Sequence, residues 1–403
     1  MLNGILATLR GHARSILGRD TCPYCFERFR LAETPFRCGS LAARCHWRAD
    51  ETLKSAWKDT RAMGRVIPAA KRFRTQAACP DCKRTSRNRL CPHCHQSLPP
   101  GFAEIRNYVF SVVGARYSGK SHFFPAAIET FKHERGPRLG LNIMPDMNTR
   151  ERYDRYYYEP LYRQGRGLEA TLSAEASVDS ALPLVFLGKI SRKDLFGRQR
   201  IWAAFTISFF DTPGEDLRST MLISNLSRYV YNSDGIIVLV DPTAFPHVQN
   251  RLSLPAPPSG TDEHPVAVLS NIIRTIRDST GLSETSKIQI PIAVTLSKLD
   301  AVESLIDRGD ALLRPTPNIA SFSRENCDAV NWSVRTLLAS WLDQNFTHTV
   351  ESEFEHIRYF GVSALGVTPD AGGRIGKVTP HRVTTPFEWL LFQKGMIKAE
   401  KQR

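Results

Sequence analysis

No apolar run in these 403 residues reaches the roughly 18 needed to span a bilayer as a helix. The opening stretch, MLNGILATLRGHARSILG, is broken by Arg10, His12 and Arg14, so it lacks the continuous apolar segment of a secretory signal. It reads as a short basic amphipathic helix that could pack, or touch a membrane surface or a partner. No internal repeat and no long low-complexity tract stands out, which sets aside solenoid arrays and disordered tails. Acidic residues are scarce at one end only. Residues 1–100 hold 7 Asp/Glu against 19 Lys/Arg, and the remainder is nearly balanced at 33 against 35. Cysteine is almost missing from the larger part: eight of the nine lie between Cys22 and Cys94. The expectation is a cytoplasmic protein of two parts, a basic cysteine-rich module over residues 1–100 and a nearly neutral domain over 105–395.

In the first part, Cys79-Pro-Asp-Cys82 and Cys91-Pro-His-Cys94 are C-x-x-C pairs separated by eight residues. Each pair can place two thiolates on one metal, and two pairs complete the tetrahedral sulfur shell that Zn²⁺ accepts. Lys83, Arg84, Arg87 and Arg89 would favour the thiolate forms. Disulfides fit a cytosolic chain poorly, and a redox role would need only one pair. Cys22-Pro-Tyr-Cys25 is a third knuckle, with Cys38 and Cys45 as the nearest partners. The expected sites are therefore Cys22/Cys25/Cys38/Cys45 and Cys79/Cys82/Cys91/Cys94, about two zinc ions in all. His46 in place of Cys45, or interleaved pairing, stays open. All-cysteine shells leave no open position, so they are structural. Asp50 to Arg74 reads as a basic link carrying Lys54, Lys58, Arg61, Arg65, Lys71, Arg72 and Arg74, with Trp47 and Trp57 nearby. Such a surface suits a protein partner, and nucleic acid is the alternative.

In the second part, Gly114 to Ser121 read GARYSGKS, a phosphate-binding loop pattern. The apolar run 108–113 before it predicts a strand, and 122–131 predicts a helix whose positive N-terminus faces the phosphates. Gly114, Ser118, Gly119, Lys120, Ser121 and His122 are the candidate contacts, with Lys120 on the β- and γ-phosphates and Ser121 on Mg²⁺. A strand over 201–210 ends at Asp211-Thr212-Pro213-Gly214. There a carboxylate can reach the metal through water, and the Gly214 N–H can contact a γ-phosphate. An apolar run over 235–240 ends at Asp241-Pro242. A further run, 290–295, leads into Ser297-Lys298-Leu299-Asp300. Asp300 can accept from guanine N1–H and its amino group, a donor pair that adenine lacks. The run 357–362 leads into Ser363-Ala364-Leu365, whose backbone can meet the guanine carbonyl.

GARYSGKS, DTPG, SKLD and SAL, in that order at four strand ends, resemble the translation-factor-related (TRAFAC) class of P-loop GTPases over roughly residues 105–395. Within it the chain is similar to the double-GTPase family of the second type, found in bacterial conflict-type operons. The cysteine-rich start, the Glu215 after DTPG and the Pro386–Leu391 segment support that likeness. The resemblance implies a mostly parallel α/β sheet flanked by helices, GTP/GDP with Mg²⁺, and a regulatory or defence role beside a second, operon-encoded GTPase. It also implies roles for Lys120, Ser121, Asp211, Gly214, Lys298, Asp300, Ser363 and Ala364. Ser297 stands where Asn or Thr is usual, and Leu365 where lysine is common. Glu215 stands where a water-orienting residue is expected. A carboxylate there can polarise water but repels the γ-phosphate, so slow, partner-dependent hydrolysis is expected.

The switch threonine should precede the strand around 184–190. Thr171 is preferred over Thr149 because it is closer. The insert 148–166, rich in Tyr and Arg, fits an amphipathic helix, and the proline-bearing stretch 252–265 fits an exposed loop. Three functions are compatible with these residues: a GTPase switch, a GTP-bound scaffold with little turnover, or a nucleotide-regulated zinc-ribbon binder of nucleic acid.

Overall fold

The computed structural model describes residues 19–41, 45, 47–70, 72–104, 107–168, 182–194, 196–210, 220–253, 264–342, 344–370 and 372–400. Its centre is a parallel sheet of β1 (Phe110–Gly114), β5 (Gly235–Val240), β6 (Ile292–Leu296) and β7 (Ile357–Gly361), in spatial order β7-β6-β5-β1. The register pairs Ile237 with Val112 and with Ala293. These strands are apolar at nearly every position because both faces are covered, as parallel sheets require. Ile237 and Leu239 face one core with Phe110, Phe124 and Leu390. Ile236, Val238 and Val240 face the other, with Leu269, Ile272 and Val334. That split is the period of two expected of a strand.

An antiparallel sheet, β2 (Leu141–Pro145), β3 (Leu184–Lys193) and β4 (Gln199–Phe209), lies on the β1 side. Gly197 turns the β3–β4 hairpin with φ +75°. The two sheets meet where β4 runs beside β1, and a tyrosine hydroxyl fills the seam. Tyr229, on α3 (Thr220–Tyr231), accepts from the Val112 N–H at 2.9 Å and donates to the Ser208 carbonyl at 2.8 Å. The ring is fully buried.

The helix after the phosphate loop is α1 (Lys120–Thr130), starting two residues before the expected His122. The 148–166 insert is helical, as α2 (Met147–Tyr153) and a wider-wound Asp154–Arg163. Tyr153 is buried there and donates to Glu129 at 2.8 Å, so this residue serves packing. The terminal helix Thr385–Gln393 is also core: Glu388 makes a two-pronged buried pair with Arg135 at 2.8–2.9 Å.

Among the described residues, the strands of the N-terminal module are two-residue antiparallel pairs: 20–21 with 28–29, 36–37 with 66–67, 48–49 with 62–63, and 77–78 with 85–86. Pairs this short do not hold themselves together. The stretch 50–74, expected as a link, is folded into them, with a helix at Glu51–Trp57 and strands on either side of Gly64. Asp50 caps that helix and receives Arg37 at 2.8 Å and His95 at 2.9 Å. Burial pushes the Asp50 carboxyl up, but the His95 and Arg37 hydrogen bonds outweigh it, and its pKa falls below the usual value.

Candidate nucleotide site and cysteine centres

The loop Gly114–Ser121 runs from the carboxyl end of β1 into the first turn of α1. Its shape depends on two glycines. Gly119 has φ +88°, a conformation that favours glycine. A Cβ on Gly114 would fall 2.5 Å from Ser118 Oγ and 2.8 Å from the Leu239 carbonyl. Tyr117 takes the left-handed conformation at φ +62° and leaves its ring half exposed. Lys120 arches back over the loop, donating to the Gly114 and Ala115 carbonyls at 2.9 Å each. Its ammonium thus sits beside the positive end of the helix, where a phosphate would meet both.

At the ends of β6 and β7 the second half of the site is assembled. The Ser363 hydroxyl donates to Asp300 at 2.5 Å and accepts from the Gly366 N–H at 2.8 Å. Thr368 reaches the other Asp300 oxygen at 3.4 Å. Ser363 is itself held by paired backbone bonds with His381, at 2.8 and 3.0 Å. Lys298 has φ +50° and pairs with Asp241 at 2.6 Å. Asp241 caps the turn after β5 by accepting from Thr243. It was not among the expected site residues, although an Asp-Pro at a strand end signals such a cap. Ser297 keeps a brace despite its short side chain, since its hydroxyl donates to the Val240 carbonyl at 3.3 Å.

His122 ties the two halves together. Its Nε2 accepts the Leu168 N–H at 3.0 Å. Gly167 N–H donates to Gly373 O, and Ile375 N–H to Gly165 O, each at 2.8 Å. The chain leading toward 169–181 is thereby fastened both to α1 and to the loop beyond Ser363. Burial, helped by the positive charge of Lys298, pulls the His122 pKa from 6.5 down to about 4. Linkage sets the sign of the consequence. An unfolded histidine protonates below pH 6.5 and this one only near 4, so stability drops as pH falls between those values and then levels off. The effect is at most about 3–4 kcal/mol. His122→Asn should flatten that part of the pH–stability curve in denaturant titrations, and an unchanged slope would remove His122 as its source.

Thr171, Asp211, Gly214 and Glu215 lie outside the described residues, as do residues 1–18, His46, Lys71 and most of the proline-bearing stretch. Thr149, the less favoured switch candidate, is fully buried in the helix Met147–Tyr153, where its hydroxyl accepts from the Val185 N–H at 2.8 Å.

The cysteines group differently from the expected neighbouring sets. Cys22, Cys25, Cys91 and Cys94 form one cluster, and Cys38, Cys45, Cys79 and Cys82 the other, with ligand atoms within 4.8 Å of one another in each. The second cluster is nested in sequence inside the first. The interleaved alternative therefore replaces the pairing by proximity, because the fold returns residues 91–94 to residues 22–25. All three C-x-x-C knuckles share one shape. The residue after each second cysteine has positive φ: Phe26 at 59°, Lys83 at 60° and His95 at 55°. Its N–H returns to the carbonyl of the first cysteine at 2.9–3.1 Å. Cys22–Cys94 and Cys25–Cys91 sulfurs are 3.9 and 3.7 Å apart. Those of Cys38–Cys82, Cys45–Cys38 and Cys45–Cys79 are 3.5, 3.4 and 4.0 Å apart. A Zn–S bond of ~2.3 Å puts tetrahedral sulfurs about 3.8 Å apart, whereas a disulfide needs about 2.05 Å. The donor sets fit zinc. In the second cluster the Arg84 backbone N–H, with hydrogen bonds from Cys38 and Ser40, draws the Cys82 thiol down to about 7 against the effect of burial.

Part of the basic character of the module is spent internally. Arg89 is buried between the rings of Phe36 and Phe73, at 4.7 and 4.8 Å. Arg61 pairs with Asp59 and Arg65 with Asp81. Lys54, Lys58, Arg72 and Arg74 stay exposed.

The module rests on the sheet domain. Tyr24 donates to Asp146 at 2.5 Å, Ser208 to the Pro23 carbonyl at 2.9 Å and Asn232 to the Phe26 carbonyl at 2.9 Å. Among the described residues no helix is long and apolar enough to cross a membrane.

No protein-family model matches the chain. Among curated proteins it is similar to SaeC of Mycolicibacterium smegmatis, described as a candidate ESX-1 scaffolding and assembly protein. The two are 28% identical over 336 residues, 76% of this chain and 80% of the relative. Among solved structures it is similar to the G domain of the T. maritima FeoB iron transporter, at 9% identity and TM-score 0.25, over 64% of this chain and 89% of that one. The S. cerevisiae Ski7 GTPase-like domain bound to GTP gives 10% identity and TM-score 0.31, over 74% and 51%. Structural overlaps this loose carry no argument about the chain's activity.

Proposed function

We propose that this chain is a GTP-binding switch with an N-terminal two-zinc module, working as one component of a multi-protein assembly. The observation that carries the reading is the Ser363–Asp300 contact at the ends of β6 and β7, in the same sheet as the loop that follows β1. It presents a fixed carboxylate where a base lies if phosphates occupy Gly114–Ser121. Lys120 and the start of α1 bind the phosphates, Ser121 and Asp211 hold Mg²⁺, and Lys298 and Asp300 read guanine, with Ser363 and Ala364 at the turn beside it. Bound Mg²⁺ would neutralise charge on the β- and γ-phosphate oxygens. Gly214 and Thr171 would sense the γ-phosphate. Glu215 argues for slow turnover that a partner accelerates. In the same reading, residues 1–100 are the zinc module and 105–395 the nucleotide domain. In this reading the chain acts in the cytoplasm.

A GTP-bound scaffold with little turnover is the second reading, favoured by Glu215 and by the scaffolding description of the M. smegmatis relative. One set of measurements separates them: GTP, GDP and ATP affinity, and phosphate release with and without an operon-encoded GTPase. The switch predicts GTP and GDP binding with release that the partner raises, and the scaffold predicts binding without release. Asp300→Ala should weaken GTP by about 30-fold or more while leaving ATP unchanged, since it strands two guanine donors. Equal GTP and ATP affinity in the unaltered protein would refute the guanine assignment.

A further inference from the structure

The knuckle Cys22–Glu27 belongs to the first cysteine cluster, and it is also the part of the module that touches α3. That helix follows Asp211-Thr212-Pro213-Gly214 in the chain. The Phe26 ring lies 4.8 Å from the Tyr229 ring and 6.1 Å from Phe210, the residue before Asp211. Asn232 Nδ2, just past the end of α3, donates to the Phe26 carbonyl at 2.9 Å, and Arg228 pairs with Glu27 at 2.9 Å. Ser208, at the end of β4, donates to the Pro23 carbonyl at 2.9 Å. All of these contacts come from one short turn that Cys22 and Cys25 tie to the same cluster. The second cluster packs with Phe36, Ile67 and Ala77 of the module.

Tyr229 extends the connection to the phosphate loop. Its hydroxyl bridges Val112, two residues before Gly114, and Ser208, three residues before Asp211. A shift of α3 must therefore break or carry with it the seam between β1 and β4, the packing on Phe26 and the hold on residues 23–27. Beside this contact lies a cleft of about 560 Å³, lined by Glu27, Trp57, His93, Asn225 and Arg228. Asn225 and Arg228 of α3 face that open space.

We infer that the first cysteine cluster, with its knuckle Cys22–Glu27, is the internal reader of the nucleotide state, coupled to α3 through Phe26, Tyr229 and Asn232. This rests on the reading of the chain as a GTP switch. Nucleotide-dependent order in the segment after a D-x-x-G turn is a known mode of switching. Here the next helix is clamped to a turn that Cys22 and Cys25 would close around zinc, so its position and the zinc affinity of the four cysteines would belong to one equilibrium. Coupling of this kind is reciprocal. If zinc at Cys22/Cys25/Cys91/Cys94 favours one nucleotide state, that state must favour the zinc by the same factor. The second cluster serves as the internal control, because it should report general unfolding and not the position of α3.

The test uses the full-length zinc-loaded chain saturated with GDP or with a non-hydrolysable GTP analogue, occupancy being confirmed first. A competing chelator is added, and the freed thiols are alkylated and assigned by peptide mass. Labelling of Cys22, Cys25, Cys91 and Cys94 should differ about five-fold or more between the two states, the lower end of ordinary coupling. Labelling of Cys38, Cys45, Cys79 and Cys82 should be the same in both. Tyr229→Phe and, separately, Asn232→Ala should shrink the difference while nucleotide still binds. Equal labelling of the first cluster in both occupied states overturns the inference and leaves the GTP reading standing. A chain that binds neither nucleotide overturns both.

Discussion

Replacing Lys120 by alanine should weaken GTP and GDP binding by about 10²–10³-fold and abolish turnover, while the chain stays folded. The loss follows from what the ammonium does. It sits within the loop at 2.9 Å from two carbonyls, Gly114 and Ala115, and no shorter side chain can serve both the loop and a phosphate. Truncating one member of such a charged, hydrogen-bonded pair costs about 2–5 kcal/mol in binding. Folding should change by only about 1 kcal/mol, since Lys120 is half-buried and the two loop carbonyls can turn to water. Calorimetric titration with GDP measures the first effect and thermal unfolding of the nucleotide-free protein the second. Binding retained within ten-fold would refute the phosphate-cradle role of the loop.

Much of the nucleotide site could be read from the sequence because each part obeys a local rule. GARYSGKS needs a strand before and a helix after, and both signals lie within a few residues of it. Ser297–Asp300 and Ser363–Leu365 follow apolar runs that fit only buried strands, and the strands appear within two residues of the expected bounds. What escaped is non-local. Asp241 meets Lys298 across 57 residues. His122 meets Leu168 across 46. Tyr229 fills a seam between strands that are far apart in the chain. None of these has a periodicity or spacing of its own, and a tyrosine in an amphipathic helix looks like any other core residue. The cysteines show the same limit. Eight chemically equivalent thiols carry no label for their partners, and proximity in sequence was a poor guide once the stretch 50–74 folded back instead of spanning a gap.

That nesting yields the other large effect. Replacing Cys91 and Cys94 by serine should lower bound zinc from about two per chain to about one, and should leave Cys22 and Cys25 open to alkylation. Cys38, Cys45, Cys79 and Cys82 should stay protected. Pairing by proximity predicts the opposite pattern, with Cys79 and Cys82 exposed and Cys22 and Cys25 protected, so one labelling experiment separates the two. The energetic consequence is also large. Zinc closing a four-thiolate site contributes on the order of 10 kcal/mol to folding of a small module, and the strand pairs here, two residues each, offer little to replace it. The first cluster closes the longer loop, from Cys25 to Cys91, around the second. Its loss releases both ends of the module together, including the turn that holds Tyr24 against Asp146 and Phe26 against Tyr229. The variant should therefore also lose the contacts that seat the module on the sheet domain, and limited proteolysis should cut near residue 104 faster than in the unaltered chain. Undiminished zinc content, or unchanged cleavage with one zinc gone, would show that the clusters do not close the module in this nested way.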